Sequence, residues 1–163
     1  MLSIEKQSSR SPETPMYIQA KPAEDSAQRP RLAPRSHRPS NVLLVDDDLF
    51  MLGVLDDLLR DLGASGITKA LGGMAALAAF DAMPTPPELV MCDLNMPAGD
   101  GFQFMEALGA RGFKGAVVLM SGMNLRTMHS ATLMARFQRL KVVGSLGKPI
   151  SASALGAVLA NLA

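Results

Sequence analysis

The chain has 163 residues and a formal net charge of +1, so it suits a single domain and offers no large field of one sign for nucleic acid or membrane. A single cysteine excludes an intramolecular disulfide framework, so we expect a reducing, cytoplasmic setting. The chain has no tryptophan, which leaves few aromatic rings for stacking on nucleic-acid bases. No apolar run is long enough for a membrane span, and the N-terminus shows no secretory signal.

Residues 1–40 differ in composition from the rest of the chain. They hold six of the eleven prolines, and seven Lys/Arg against four Asp/Glu give this segment a charge of +3. Their apolar residues never recur with a helical or strand period, so the segment cannot bury enough surface to offset the entropy of ordering. We predict a disordered Pro/Ser/Arg-rich tail over 1–40 and a folded domain over 41–163. The tail is either a solvated leader or a docking segment for an acidic partner or membrane surface, and both readings stay open.

From residue 41 onward, short apolar runs alternate with amphipathic segments. The predicted strands are 42–45, 67–70, 88–92, 116–120 and 143–146. The predicted helices are 49–62, 74–83, 102–110, 125–140 and a last helix that follows the N-cap Ser151. This alternation predicts an α/β fold, with a doubly wound five-stranded parallel sheet and helices on both faces.

Polar residues stand at the ends of four of the predicted strands: Asp46-Asp47, Asp93, Ser121 and Lys148. Right-handed crossovers bring the carboxyl ends of parallel strands to one edge of the sheet. Ligands of open α/β sheets bind outside that edge, so we expect these side chains to lie close together.

Three neighbouring carboxylates repel one another unless a cation lies between them. Mg²⁺ prefers hard oxygen ligands and is often held by one or two carboxylates together with phosphate oxygens. Lys148 adds a compact positive charge and Ser121 a hydroxyl donor. The set therefore predicts a site that forms an acyl phosphate, with Asp93 as the nucleophile.

Four motifs carry a resemblance to a known family: LLVDDD (43–48), MCDLNMPAGDG (91–101), VVLMSG (117–122) and GKPI (147–150). On these motifs, residues 41–163 resemble a response-regulator receiver domain, the family of the chemotaxis response regulator. The resemblance implies a flavodoxin-like strand order 2-1-3-4-5. It also implies a phosphoprotein that acts in a two-component phosphorelay and is not itself an enzyme.

The resemblance assigns a role to each matching residue. Asp93 would accept the phosphoryl group from a phosphohistidine on a histidine kinase or a histidine phosphotransfer protein. The Mg²⁺ ligands implied are Asp46, Asp47, Asp93 and the backbone carbonyl of Asn95. The phosphate-binding and switch positions implied are Ser121, Lys148 and Pro149.

One position departs from the family pattern. Receivers commonly carry an aromatic residue three positions before the lysine, and here that residue is Ser145. The usual ring rotation is impossible, so another group must carry the signal, with Met123 or Met128 as flexible candidates. We therefore expect Ser121 rather than Ser145 to be needed for signalling.

Two rival readings remain. A haloacid-dehalogenase-like phosphohydrolase would use Asp46-x-Asp48, but it needs a further acidic pair after the lysine, and no Asp or Glu follows Glu106. A degenerate receiver that serves only as a binding module is favoured by Ser145 alone. Cys92 is either a small core residue or a redox sensor.

We expect a stand-alone receiver that signals through altered protein contacts, with a downstream partner that the sequence does not identify. Thirteen residues follow Ile150, so we expect neither a catalytic nor a DNA-binding output domain.

Overall fold

A computed structural model describes residues 38–97, 100–122 and 125–162 of the chain. The strands are β1 (Asn41–Asp46), β2 (Gly66–Leu71), β3 (Leu89–Asp93), β4 (Ala116–Ser121) and β5 (Lys141–Gly147). The helices are α1 (Leu49–Asp61), α2 (Gly73–Ala82), α3 (Asp100–Ala110), α4 (Leu125–Phe137) and α5 (Ala152–Leu159), followed by a 3₁₀ turn at Ala160–Leu162. Residues 1–37, most of the predicted tail, lie outside the described residues.

All four strand pairings are parallel, and the order in the sheet is β2-β1-β3-β4-β5. One apolar cluster joins the sheet to α2, α3 and α4, and a second joins its other face to α1 and α5. The central strands β1, β3 and β4 are buried along nearly their whole length, which explains their continuous apolar sequences. The predicted fold class and strand order are confirmed.

Two predicted helix boundaries were wrong. α3 begins at Asp100 rather than near residue 102, so the helix also includes Asp100 and Gly101. α4 ends at Phe137 rather than near residue 140. The chain leaves this helix through Arg139, whose φ of 62° is left-handed, and the N–H of Leu140 donates back to the carbonyl of Ala135.

Pro39 and Ser40, which the sequence assigned to the tail, are bonded to the domain. The N–H of Gly66 donates to the carbonyl of Ser40 at 2.9 Å, and Ser65 donates to that of Pro39 at 3.3 Å. The hydroxyl of Ser40 donates to the carboxylate of Glu88 at 2.5 Å. These bonds attach the start of β2 and the approach to β3 to the segment before β1.

No helix within the described ranges is both long enough and apolar enough to cross a membrane.

Candidate functional site

Three carboxylates meet at the carboxyl edge of the sheet. Asp46 is the last residue of β1 and Asp93 the last of β3, and they are 0% and 1% exposed. Asp47 follows β1 and is exposed. One oxygen from each of the three carboxylates lies within 4.8 Å of the others. The strand ends thus bring together the acids that the sequence predicted.

Lys148 lies between the two buried acids. Its Nζ is 2.8 Å from Oδ2 of Asp46 and 3.0 Å from Oδ2 of Asp93. Burial by itself lowers the pKa of Lys148, but the hydrogen bonds and charges of Asp46 and Asp93 outweigh it and hold the pKa above its usual value. One cation therefore bridges β5, β1 and β3 and offsets part of the repulsion between the carboxylates.

Backbone N–H groups fix the other oxygens of the buried acids. Oδ1 of Asp93 accepts from the N–H of Asn95 at 3.0 Å, and Oδ1 of Asp46 accepts from that of Asp48 at 3.0 Å. Each carboxylate is therefore held between a backbone donor and Lys148, and its orientation is defined.

Asp48 has a different role from its two neighbours. Its Oδ1 accepts from the N–H of Phe50 at 2.8 Å, and it is the N-cap of α1. Asp48 therefore stabilises the first turn of the helix, and it is not among the three clustered carboxylates. The phosphohydrolase hypothesis requires Asp46 and Asp48 to act together at the site. Asp48 caps α1 instead, so the structure does not support that hypothesis.

The remaining predicted residues lie on β4 and β5. Ser121 ends β4, is 1% exposed, and its carbonyl accepts from the N–H of Lys148 at 2.9 Å. The bond between Lys148 and Pro149 is cis. Ser145 pairs with Leu119 in the β4–β5 register and is exposed. Met128 is buried in the cluster that contains Leu119, whereas Met123 lies outside the described residues.

Cys92 is fully buried in β3. Burial and then the charges of Asp93, Asp46 and Asp100 raise the pKa of its thiol far above the usual value. A thiol that is neutral and shielded from solvent is unreactive, so the structure favours the core reading over the redox sensor.

The sequence did not single out Asp100. Its Oδ2 accepts from the N–H of Gly73 at 2.5 Å, which joins the start of α3 to the first turn of α2. A Cβ on Gly73 would lie 2.7 Å from Oδ1 of Asp100, and a Cβ on Gly101 would overlap the carbonyl oxygen of Asp93. The glycines at both positions allow this close packing. The motif Gly72-Gly73 was a signal for a special backbone, but nothing in the sequence paired it with Asp100.

The donor set fits a hard divalent cation. It consists of carboxylate oxygens at one edge, two of them buried, with the backbone of Asn95 directly beside Asp93. It contains no sulfur or imidazole ligand, so the chemistry of the cluster matches Mg²⁺ better than Zn²⁺.

The chain is similar in sequence to proteins of known families. Residues 42–160 match the family model described as the response regulator receiver domain. The chemotaxis protein CheY of Listeria monocytogenes is 26% identical over 87 residues, which cover 53% of this chain and 71% of CheY. The cyclic di-GMP phosphodiesterase RocR of Pseudomonas aeruginosa is 28% identical over 119 residues, 73% of this chain but only 30% of RocR. The sensor histidine kinase GacS of Pseudomonas protegens is 38% identical over 96 residues, 58% of this chain and 9% of GacS.

Solved structures share the fold. A response regulator from Colwellia psychrerythraea superposes with a TM-score of 0.65 at 24% identity, over 76% of this chain and 95% of that one. CheY of Borrelia burgdorferi, in its complex with CheX, BeF₃ and Mg²⁺, gives a TM-score of 0.64 at 21% identity, over 74% of this chain and 87% of the matched chain.

Proposed function

Because the chain belongs to the response regulator receiver domain family, we propose that it is a phosphoacceptor of a two-component phosphorelay, phosphorylated on Asp93. The observation that carries the proposal is the bridge of Lys148 between Asp46 and Asp93, at 2.8 and 3.0 Å, beside the third carboxylate of Asp47. A binding module with no phosphoryl chemistry has no need of this cluster, which places three like charges at one edge at a cost in stability.

The proposed donor is a phosphohistidine on a histidine kinase or a phosphotransfer protein. An oxygen of the Asp93 carboxylate attacks phosphorus, and a P–O bond forms. The P–N bond to the donor imidazole breaks, and the imidazole nitrogen keeps the electron pair. The bond from the N–H of Asn95 holds Asp93 in one orientation during the approach, which lowers the entropic part of the barrier.

The charge of the transferring group is offset by this chain's own cation and by a metal site. The Nζ of Lys148 lies at the reacting carboxylate, where it can bind a phosphoryl oxygen. Asp46, Asp47, Asp93 and the carbonyl of Asn95 would hold Mg²⁺. When bound, the ion neutralises charge on the carboxylates and on the phosphoryl oxygens. Ser121, at the end of the adjacent strand, would donate its hydroxyl to the phosphorylated product.

In this proposal the protein stores a phosphoryl group rather than turning over a substrate. It acts in the cytoplasm, where kinases make phosphohistidine from ATP, and it signals through contacts with a protein partner. The tail of residues 1–37 is not needed for the chemistry.

Intact-mass measurement after incubation with acetyl phosphate tests the proposal. With Mg²⁺ we expect one added phosphoryl group, and with a chelator in excess we expect none. Equal labelling with and without the chelator would contradict a metal-dependent site, and no labelling of a folded protein by any phosphoryl donor would contradict the proposed function.

A further inference from the structure

A small cavity lies between α3 and α4, on the face of the sheet that these helices cover. Its volume is about 150 Å³. The inner end is formed by Leu119 of β4 and by Leu94, which follows β3, and these two residues are 0% and 2% exposed. The cavity opens to solvent beside Met134, which is 44% exposed. It is therefore a pocket with a buried apolar base.

The two helices supply the walls of this cavity through residues at helical spacing. Phe102 and Met105 lie one turn apart on α3, and Met134 and Ala135 lie on α4 with Ala131 one turn before them. The two alanines have short side chains, so the space beside α4 stays open. An apolar cavity of about this volume in another protein stays free of water and binds benzene. The walls therefore suit an apolar group about the size of one aromatic ring.

Two polar side chains complete the lining: Glu106 on α3 and Gln138, which follows α4. Within the described ranges, neither side chain forms an ion pair or a hydrogen bond with another residue. Glu106 is exposed and is the only ionisable group among the described residues that line the cavity, so the site attracts a cation and repels an anion. A ligand ammonium group can donate to the carboxylate of Glu106 and to the amide oxygen of Gln138.

We propose that this cavity binds a small organic cation, an amine carried on an apolar group about the size of one aromatic ring. Ligand pockets commonly combine apolar walls with a few polar groups that orient the ligand, and the lining has this composition. The volume is too small for a helix or strand of a partner protein, so a small molecule is the better occupant. The site shares no residue with the carboxylate cluster, and the proposal does not depend on phosphorylation of Asp93.

Benzylamine, benzyl alcohol and benzoate test the proposal, because the three probes share one ring and differ in charge. Each is titrated into the full chain at neutral pH, and NMR follows the isotopically labelled methyl groups of methionine. Met105 and Met134 report on the cavity, whereas Met91 is buried in the apolar cluster on the opposite face of the sheet and serves as an internal control. We expect benzylamine to shift the signals of Met105 and Met134 to saturation, with a Kd of about 1 mM, and to leave that of Met91 unchanged. Benzyl alcohol should bind more weakly, and benzoate more weakly still.

Glu106→Gln separates recognition of the charge from occupancy of the cavity. The variant keeps the size of an exposed side chain, so the domain should fold normally. It should weaken benzylamine about fivefold and leave the affinity for benzyl alcohol within about twofold of wild type. Asp61→Asn is the matched control, because it removes an exposed acid from α1 on the other face of the sheet, and it should change neither affinity.

The proposal is overturned if benzylamine causes no saturable shift of Met105 and Met134, or if benzoate binds as tightly as benzylamine. It is also overturned if Glu106→Gln binds benzylamine as tightly as wild type. An equal loss in Asp61→Asn would contradict it as well, since binding would then follow the overall charge of the protein rather than this site.

Discussion

Replacement of Lys148 by methionine should destabilise the domain when no divalent cation is present. The change removes a cation that lies 2.8 and 3.0 Å from two carboxylates, both almost fully buried. Removing one partner of a buried ion pair typically costs about 3–5 kcal/mol, because the other charge stays buried without compensation. Since the Lys148 side chain is itself 21% exposed, we place the loss at the lower end, about 3 kcal/mol or about 10 °C in Tm.

Urea denaturation in the presence of EDTA measures this loss. Lys69→Met is the matched control, since it removes the same type of side chain from a pair whose members are 46% and 14% exposed. Exposed pairs contribute at most about 1 kcal/mol, so the control should lose far less. A loss for Lys148→Met that does not exceed that of Lys69→Met would refute the view that this lysine holds the acidic cluster together.

The stability of Lys148→Met should also depend on Mg²⁺ and on pH in ways that can be measured. Mg²⁺ should stabilise Lys148→Met more than wild type, because the ion then meets an acidic site that lacks its internal cation. The pKa of Lys148 is raised in the folded state, so its contribution is present below the unfolded value of about 10.5 and is lost as the pH rises through the folded value. As the pH is raised from neutral, the difference between wild type and variant should therefore persist and then shrink at strongly alkaline pH.

Three more predictions concern the signal, the tail and acid stability. Ser145→Ala should leave phosphorylation and partner binding within a few-fold of wild type, whereas Ser121→Ala should still accept phosphate but lose most of the beryllofluoride-dependent gain in partner affinity. If Ser145→Ala loses the beryllofluoride-dependent gain in partner affinity, the prediction that Ser121 and not Ser145 is needed for signalling is wrong. Deletion of residues 1–37 should leave Tm nearly unchanged, and a drop of many degrees would show that the tail packs on the domain. Asp56→Asn should cost about 1 kcal/mol at neutral pH. Burial raises the pKa of Asp56, but the bonds to Lys69 and Arg60 outweigh burial and lower this pKa below its usual value. The cost of Asp56→Asn should therefore disappear as the pH falls through the pKa of Asp56 in the folded state. A cost that persists in acid would refute this prediction.

The fold was predictable because each level of the sequence indicated the same structure. Continuous apolar runs such as 42–45 and 116–120 form strands buried on both faces, and the intervening segments have one apolar face. The acidic cluster followed from the same reasoning, since parallel strands with right-handed crossovers place their carboxyl ends at one edge.

Other features depend on contacts that no local pattern contains. Asp100 binds Gly73 across 27 positions of sequence, and its carboxylate would equally suit a cap of its own helix. The end of α4 is set by the left-handed backbone of Arg139, a residue type with no preference for that conformation. Leu71 and Met74 are exposed although apolar residues are usually buried, because exposure is decided by what packs over a side chain.

Localisation of the phosphoryl group is the most direct test of the account. After incubation with acetyl phosphate and Mg²⁺, mass spectrometry of the peptides should place one phosphoryl group on Asp93. Asp93→Asn should remain unlabelled, while Asp61→Asn, which changes an exposed acid of α1 away from the cluster, should be labelled like wild type. Labelling of Asp93→Asn at the wild-type rate, or a phosphoryl group found on another residue of the wild type, would contradict the assignment of Asp93 as the acceptor.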